Sequence, residues 1–386
     1  MSTLAPSFVA ARAERATALR RWQRMHTLLA SGGAAEPPQA KLADFAVYYH
    51  CVHQAFDQPA DEALAQRLAQ QLVRQPWPAP DAPWSTYQVD QASALAWLSA
   101  HRAAGGLPAF CAPERLAALD KALYQAVRDL PDPSAPLRRS LLVGVGRYLR
   151  LRLPDPAAAY YLNALVAHWP EWPPQGAEAA PALSLGLADG LAAELFVLLR
   201  AHRAGVRHPN IEARVRQGLQ RLLRLRRDVD FLAGQYSVFP YQARASTLEG
   251  EFSPELSWRC GDAGQAWLLY EAQAILQDQE LAKIAELVGL NTLLRTDVAA
   301  TNVREAGFYQ GAAGVAQLYR QLYCASGLPA FRTASHHWLD RTHDLLTAPL
   351  AAAQAEQKLL GGLTGVSMVL LSAATENIPD WSSLLV

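Results

Sequence analysis

The sequence predicts an all-α protein in which about seven helical hairpins close into a toroid. Three observations predict it: helical periodicity, the placement of the prolines, and a recurring motif of small residues. Apolar residues recur at three- and four-residue spacing, as in Ile211, Val215, Leu219 and Leu222, whereas the alternation typical of strands is almost absent. The 25 prolines lie mainly between periodic segments, for example around 76–83, 131–136 and 170–174, and therefore delimit helices.

The recurring motif marks one helix of each predicted hairpin. It begins at Ser93, Gly144, Gly190, Gly261, Gly311 and Gly362. A seventh unit without glycine is expected around 44–53, so each unit has about 50 residues, enough for two helices. Because glycine in a helix costs about 1 kcal/mol relative to alanine, its repeated use indicates helices that converge closely on one axis. An ordinary bundle with glycines at its turns is the alternative.

The same spacing predicts the domain organisation. We expect one domain over residues 1–386, with 1–40 as a peripheral N-terminal helical segment. The step from Gly190 to Gly261 is longer than the others. We therefore predict an inserted loop at 231–256 that lies across one mouth of the ring.

Composition narrows the classes of function. The formal net charge is zero and 18% of residues are charged, so the chain lacks the basic field that a nucleic-acid partner requires. The four cysteines have no paired spacing and are expected to be reduced thiols. The sequence contains neither a long apolar span nor the basic start of a signal peptide. These features predict a cytoplasmic protein without a membrane span.

Several segments resemble the lanthionine synthetase C-like family. They are 186–190 (GLADG), 237–240 (SVFP), 258–264 (WRCGDAG), 309–314 (YQGAAG) and 379–385 (PDWSSLL), and the resemblance spans roughly 40–386. It implies an α/α toroid of seven hairpins. It also implies an enzyme that adds a cysteine thiol to a dehydrated serine or threonine of a precursor peptide. In that family two cysteines and a histidine hold a zinc ion, which activates the thiol.

The zinc ligands of the family are replaced in this chain. Arg259 stands at the position of the first cysteine, and Tyr309 and Gln310 stand at the Cys-His pair. A guanidinium stays protonated at neutral pH and does not bind a cation. Asp189 occupies the position of a family histidine. We therefore predict no zinc and no other cofactor.

A charge cluster is predicted in place of the metal. A buried, unpaired Arg259 would cost several kcal/mol, so the fold must supply an acid. Asp189, Glu255 and Asp262 are the candidates, and our hypothesis pairs Arg259 with Asp189 or Asp262. The cluster either takes part in catalysis or only stabilises the ring.

The candidate site residues follow from these positions. The catalytic candidates are Arg259, Asp189, Tyr309 as a general acid, and Cys260 as a nucleophile whose pKa Arg259 lowers. The substrate-binding candidates are Glu255, Asp262 and Gln310. His50, Cys51 and His53 could be interpreted as metal ligands, but a role in the core or in helix capping is the stronger interpretation. Arginines crowd one helix and the residues after it, where they form a solvated face or hold an acidic leader peptide: Arg214, Arg216, Arg221, Arg224, Arg226 and Arg227.

Two functions remain open at this point. The first is a lanthionine-cyclase-like protein that binds a modified precursor peptide and promotes thioether cyclisation, or related chemistry, without zinc. The second is a non-catalytic scaffold or partner subunit of a peptide-modifying dehydratase or another tailoring enzyme. A carbohydrate-active toroid is set aside because no acid pair lies in corresponding motifs.

Overall fold

The computed structural model describes residues 6–31, 38–78, 82–130, 136–170, 182–244, 247, 249–346, 359–375 and 378–386. Within these ranges lie fifteen α-helices: α1 (Pro6–Ser31), α2 (Leu42–Phe56), α3 (Pro59–Arg74), α4 (Thr86–Ala104), α5 (Pro113–Arg128), α6 (Pro136–Leu151), α7 (Pro156–Ala167), α8 (Leu191–Arg203), α9 (Pro209–Arg224), α10 (Asp262–Leu276), α11 (Gln279–Thr292), α12 (Val298–Thr301), α13 (Ala312–Ser326), α14 (Pro329–Leu345) and α15 (Leu363–Ala374). The strands are β1 (Leu183–Ser184), β2 (Gln242–Ala243) and β3 (Gly250–Glu251).

The helices form two concentric layers. The inner layer consists of α2, α4, α6, α8, α10, α13 and α15; each packs against the next, and α15 packs against α2 to close the ring. The outer helices α3, α5, α7, α9, α11 and α14 each pack on the inner helix that precedes them. The predicted all-α toroid of about seven hairpins is therefore confirmed.

The seventh outer position is filled from the other end of the chain. Helix α1 packs against α15 and touches α14. It buries Trp22, Met25 and Leu29, which recur at three- and four-residue spacing. The ring of Trp22 stacks on Phe56 of α2, with 4.6 Å between ring centroids. The N-terminal helix, expected to be peripheral, thus supplies the outer partner of α15.

Proline and glycine mark the helix starts. The outer helices α3, α5, α7, α9 and α14 all begin at a proline, which has the backbone angle of a first helical residue and needs no hydrogen-bond acceptor there. Gly190, Gly261, Gly311 and Gly362 immediately precede the inner helices α8, α10, α13 and α15. Gly144, in contrast, lies inside α6 rather than at its start.

The close approach of neighbouring helices, which we inferred from the glycines, is found at only some of these positions. A Cβ on Gly144 would lie 3.0 Å from Val89 of α4, so this position does face a neighbouring inner helix. A Cβ on Gly314 would lie 1.8 Å from the carbonyl oxygen of Phe308, which belongs to the loop before the same helix. The prediction of close helix–helix approach is therefore wrong for Gly314, because its first turn presses on its own preceding loop.

The connection from α9 to α10 contains the segment predicted as an insertion. Strands β2 and β3 lie in it, and β2 pairs with both β1 and β3 in an antiparallel sheet of order β1-β2-β3. Asp262, the first residue of α10, accepts hydrogen bonds from the backbone N–H groups of Val238 and Phe239, both at 2.9 Å. It also forms an ion pair with Arg295, which follows α11. These contacts fix the loop to the start of α10.

The last segment of the chain lies against the inner helices α4 and α6. Trp381 is buried, and the indole N–H of Trp97 faces the carbonyl oxygen of Asp380 at 3.4 Å. Arg147 donates to the carbonyl oxygen of Leu385 at 3.0 Å. Segment 378–386 is thereby held beside the centre of the ring. In the described ranges, every helix is too short or too polar to cross a bilayer.

Candidate functional site

Three segments are joined by backbone hydrogen bonds at the starts of α8, α10 and α13. The N–H of Arg259 donates to the carbonyl oxygen of Tyr309 at 3.0 Å. The carbonyl oxygen of Arg259 accepts from the N–H groups of Leu187, at 2.9 Å, and Ala188, at 3.3 Å. Residues 186–190, 255–262 and 309–311, which we call the mouth, therefore form one contiguous region.

Arg259 has an acidic partner at the mouth. Its guanidinium lies 3.0 Å from the Glu255 carboxylate, and its side chain remains 39% exposed. The second oxygen of Glu255 accepts from the Ser257 hydroxyl at 2.7 Å. Burial lowers the pKa of Arg259, but Cys260, Glu255 and Asp189 raise it by more, so the pKa lies above the usual arginine value. The partner is Glu255, which corrects the hypothesis of Asp189 or Asp262.

The side chain of Asp262 makes structural contacts inside the protein. It is fully buried, and its carboxylate accepts from two backbone N–H groups and from Arg295. The substrate-binding role predicted for Asp262 is therefore wrong. Asp189 is exposed at the mouth, where it accepts from the Ser184 hydroxyl at 3.4 Å.

Cys260 is buried behind Arg259. Burial and the neighbouring Glu255 carboxylate raise the pKa of the Cys260 thiol to about 12, and this outweighs the lowering effect of Arg259. The thiol therefore stays protonated at neutral pH. The nucleophile prediction for Cys260 is wrong because desolvation outweighs the adjacent positive charge.

Tyr309 and Gln310 have different environments. The Tyr309 ring is buried, and its hydroxyl donates to the carbonyl oxygen of Leu359 at 3.1 Å. This proton faces a backbone acceptor, which is not the arrangement expected of the predicted general acid. Gln310 is exposed at the mouth.

A small cavity of about 90 Å³ lies between the mouth and the inner helices. Its lining residues are Thr86, Asp90, Ser140, Val143, Gly144, Arg147, Ala188, Asp189, Tyr309 and Leu385. Arg147 of α6 forms an ion pair with Asp90 of α4 at 2.5 Å across this cavity. Sequence reasoning missed both residues. Their signal is their position in the sequence: each lies three residues from the first residue of a small-residue motif, Asp90 before Ser93 and Arg147 after Gly144.

The other candidates lie away from the mouth. His50 and Cys51 are buried in α2, which confirms the core interpretation, and Nδ1 of His53 lies 3.2 Å from the carbonyl oxygen of Gln58. On α9, Arg216 pairs with Glu212 at 2.7 Å.

Comparison with known proteins decides the family. The model of the lanthionine synthetase C-like protein family matches residues 158–386. The chain belongs to the lanthionine synthetase C-like family. Among solved structures, nisin cyclase is similar in fold: the TM-score is 0.72 at 14% identity, over 94% of this chain and 96% of that one. In sequence, no curated protein matches.

The side chains of this family member do not fit the zinc implied by the family resemblance. In the part of the chain that the structure describes, no three His, Cys, Asp or Glu side chains converge as a metal site. A cation at the mouth would meet the Arg259 guanidinium, the protonated Cys260 thiol and the Tyr309 hydroxyl, which donates to a backbone carbonyl. Zinc sites require thiolate, imidazole or carboxylate donors. The mouth therefore offers a positive side chain where a thiolate ligand would be needed.

Proposed function

We propose that this lanthionine synthetase C-like protein binds a dehydrated precursor peptide at the mouth and promotes thioether ring closure without zinc. One observation carries the proposal. The partly exposed guanidinium of Arg259 stands at the position where the family resemblance places a zinc-ligating cysteine. A positive charge is thereby retained at the place where a substrate thiol would lie.

The chemistry needs no redox cofactor. The substrate sulfur forms a bond to the β-carbon of a dehydrated residue, the electron pair of the C=C bond moves to the α-carbon, and the α-carbon takes up a proton. A cation beside the thiol favours the thiolate, and one opposite charge commonly lowers a pKa by about 1 to 3 units. Holding the two reacting groups together contributes further, because it removes the entropic cost of their encounter. The dehydrated residue must come from a dehydratase reaction.

Ring closure leaves the peptide mass unchanged, so the assay is alkylation of the remaining peptide thiol followed by mass spectrometry. We expect the purified protein to speed the loss of alkylatable thiol in a dehydrated precursor peptide. Arg259→Ala should slow this loss by about tenfold or more, and Arg259→Lys should retain part of the rate. Arg207→Ala, at an exposed arginine between α8 and α9, is the matched control. Equal rates for Arg259→Ala and wild type would refute the proposed role of Arg259.

Zinc independence has its own measurement. We expect elemental analysis to find no stoichiometric zinc after incubation with zinc and dialysis, and ring closure to proceed unchanged in a chelator. One tightly bound zinc per chain, with activity lost in the chelator, would show that the protein is a metal-dependent cyclase and would contradict the proposal.

A non-catalytic scaffold is the second candidate, and a specific observation favours it. Cys260 is a buried, protonated thiol and the Tyr309 hydroxyl donates to a backbone carbonyl, so neither is set up for proton transfer. As a scaffold, the protein would bind the peptide together with a dehydratase or another tailoring enzyme. It would then co-purify with that enzyme and leave the alkylation pattern of the peptide unchanged when added alone.

We also propose that the protein works in the cytoplasm. All four cysteines are free in the structure, and Cys324 is exposed, which suits a reducing compartment. The finding that would oppose this is a disulfide in protein purified under alkylating conditions.

A further inference from the structure

An apolar groove runs along the outer surface between α11 and the loop that follows α9. Its volume is about 790 Å³, far larger than that of the cavity at the mouth. Its walls include Leu287, Leu290 and Leu294 on one side and Arg226, Arg227 and Val238 on the other. The apolar part comes mainly from α11 and the charged part from the loop.

Helix α11 presents a leucine stripe to solvent. Leu287, Leu290 and Leu294 are 72%, 37% and 69% exposed and recur at three- and four-residue spacing, so they share one face of the helix and its C-terminal extension. The opposite face already packs on the ring through residues such as Leu281 and Ala285. The exposed stripe is therefore an additional apolar face, and such a face is typical of a binding surface for another helix.

The edge of the groove is basic. Arg226 is exposed, and Arg227 is held in place by a hydrogen bond from Nε to the carbonyl oxygen of Ser237, at 3.2 Å, and by its position 3.8 Å above the Phe252 ring. Among the described residues that line the groove, Asp228 is the one acid. The charge of the groove thus favours an acidic partner.

The groove is connected to the mouth through Asp262. Val238 lines the groove, and its N–H donates to Asp262, which lies three residues beyond Arg259. Asp262 also pairs with Arg295, the residue after Leu294. A peptide bound in the groove would therefore lie along the loop that leads to the mouth.

We propose that this groove binds an acidic, amphipathic helical segment of the precursor peptide, outside the part that is cyclised. Apolar residues of the segment lie against Leu287, Leu290 and Leu294, and its carboxylates face Arg226 and Arg227. That the bound segment belongs to the precursor peptide rests on the proposed function. That it is acidic and amphipathic is inferred from the residues of the groove alone.

The first test uses a synthetic probe. A fluorescein-labelled helical peptide with leucines at positions i, i+3, i+4 and i+7 and glutamates on the other faces is titrated with the full-length protein by fluorescence anisotropy. We expect saturable binding, at least tenfold weaker with Leu287→Ala/Leu294→Ala and about threefold weaker with Arg226→Gln. Because Leu287 and Leu294 are exposed, these variants should keep the thermal unfolding temperature of the wild type.

The matched controls are Leu232→Ala, at a fully exposed leucine that does not line the groove, and Arg207→Gln. Neither should change the affinity. Equal binding of a peptide with scrambled leucines, or of one with lysines in place of glutamates, would overturn the proposal. So would a dimer of the protein that dissociates in Leu287→Ala/Leu294→Ala, because the stripe would then be an interface between two copies.

A second test separates this proposal from the proposed function. With the full precursor peptide, Leu287→Ala/Leu294→Ala should raise KM, or Kd if no ring forms, at least tenfold. With a truncated peptide that contains only the cyclised part, the variant should behave as wild type. Arg259→Ala should slow ring closure of both peptides. An unchanged KM or Kd for the full precursor would refute the groove proposal, while absence of ring closure with intact groove binding would refute only the proposed function.

Discussion

The four cysteines differ in burial, and burial controls thiol reactivity. Cys51, Cys111 and Cys260 are buried, and desolvation raises the pKa of each thiol; Cys324 is exposed. We predict that a chromogenic disulfide reagent labels one thiol rapidly in the native protein and the other three only on unfolding. The Cys324→Ser variant should lose the rapid phase entirely. A rapid phase that persists in this variant would show that a buried thiol is accessible.

His50 is expected to make the protein sensitive to acid. The side chain is 2% exposed, neither ring nitrogen has a hydrogen-bond partner among the described residues, and burial lowers its pKa to about 4. The folded state therefore binds fewer protons than the unfolded state between the folded pKa and the ordinary value of 6.5, and stability from this group falls as the pH falls through that window.

We predict that His50→Leu raises the free energy of unfolding by about 2 kcal/mol more at pH 5 than at pH 8, as measured by urea denaturation at both pH values. A control is Leu232→Ala, at a fully exposed position without a titratable group, which should have the same effect at both pH values. An equal effect of His50→Leu at both pH values would mean that folding does not lower the pKa of His50, so that the side chain is charged in the folded protein at pH 5.

The partner of Arg259 shows what sequence cannot resolve at this scale. Glu255 and Asp262 lie four residues before and three residues after Arg259, so spacing alone does not distinguish them. The structure places Asp262 in the first turn of α10, where backbone N–H groups and Arg295 occupy its carboxylate. Because Arg295 is distant in sequence, this competition becomes visible only in the folded chain.

At the scale of the elements, substitution by alanine is expected to have opposite effects on stability at two glycines in equivalent positions. Gly264 and Gly314 both occupy the first turn of an inner helix. A Cβ on Gly264 would meet Leu187 at an ordinary 3.5 Å, whereas a Cβ on Gly314 would lie 1.8 Å from the carbonyl oxygen of Phe308.

We predict that Gly264→Ala is neutral or stabilises the protein by up to about 1 kcal/mol, because alanine favours a helix over glycine. Gly314→Ala should destabilise it by about 3 kcal/mol or more, because the backbone must move. Chemical denaturation of the two variants side by side is the measurement. Similar changes in the free energy of unfolding for both variants would show that the loop before α13 can move at little energetic cost.

Most helices could be predicted from sequence, and the reasons are local. Proline at the first helical position and glycine before an inner helix mark element ends without any information on tertiary structure. The three two-residue strands could not be predicted, since β1 precedes α8 whereas β2 and β3 lie between α9 and α10. The placement of Arg147 and Asp90 across one cavity likewise depends on the packing of α4 against α6.

At the scale of the whole molecule, the toroid depends on how its N-terminal helix α1 packs against the helices around it. Trp22 of α1 is 6% exposed and stacks on Phe56 of α2. We predict that Trp22→Ala lowers the free energy of unfolding by about 3 to 5 kcal/mol, as typical of a large buried aromatic side chain. Arg24→Ala, at an exposed position of the same helix, should change it by no more than about 0.5 kcal/mol. A small effect of Trp22→Ala would mean that α1 contributes little to the toroid.

The number of hairpins could be predicted from the repeat, but the composition of the last one could not. Among the residues described after Gly362, α15 is the one α-helix, and none of them forms an outer helix that packs on it. Its partner α1 lies more than 300 residues earlier, and no local pattern links the two. Pairing at that distance is decided by which apolar faces remain uncovered once the other hairpins have formed.

The pairing of α1 with α15 also sets an order of events during translation. Helix α1 is synthesised more than 300 residues before α15, so its partner in the ring becomes available only long after α1 itself. The intervening hairpins are formed from neighbouring segments and can assemble as they appear. Closure of the ring therefore cannot precede the synthesis of α15, and until then the apolar face that α1 buries against α15 lacks this partner.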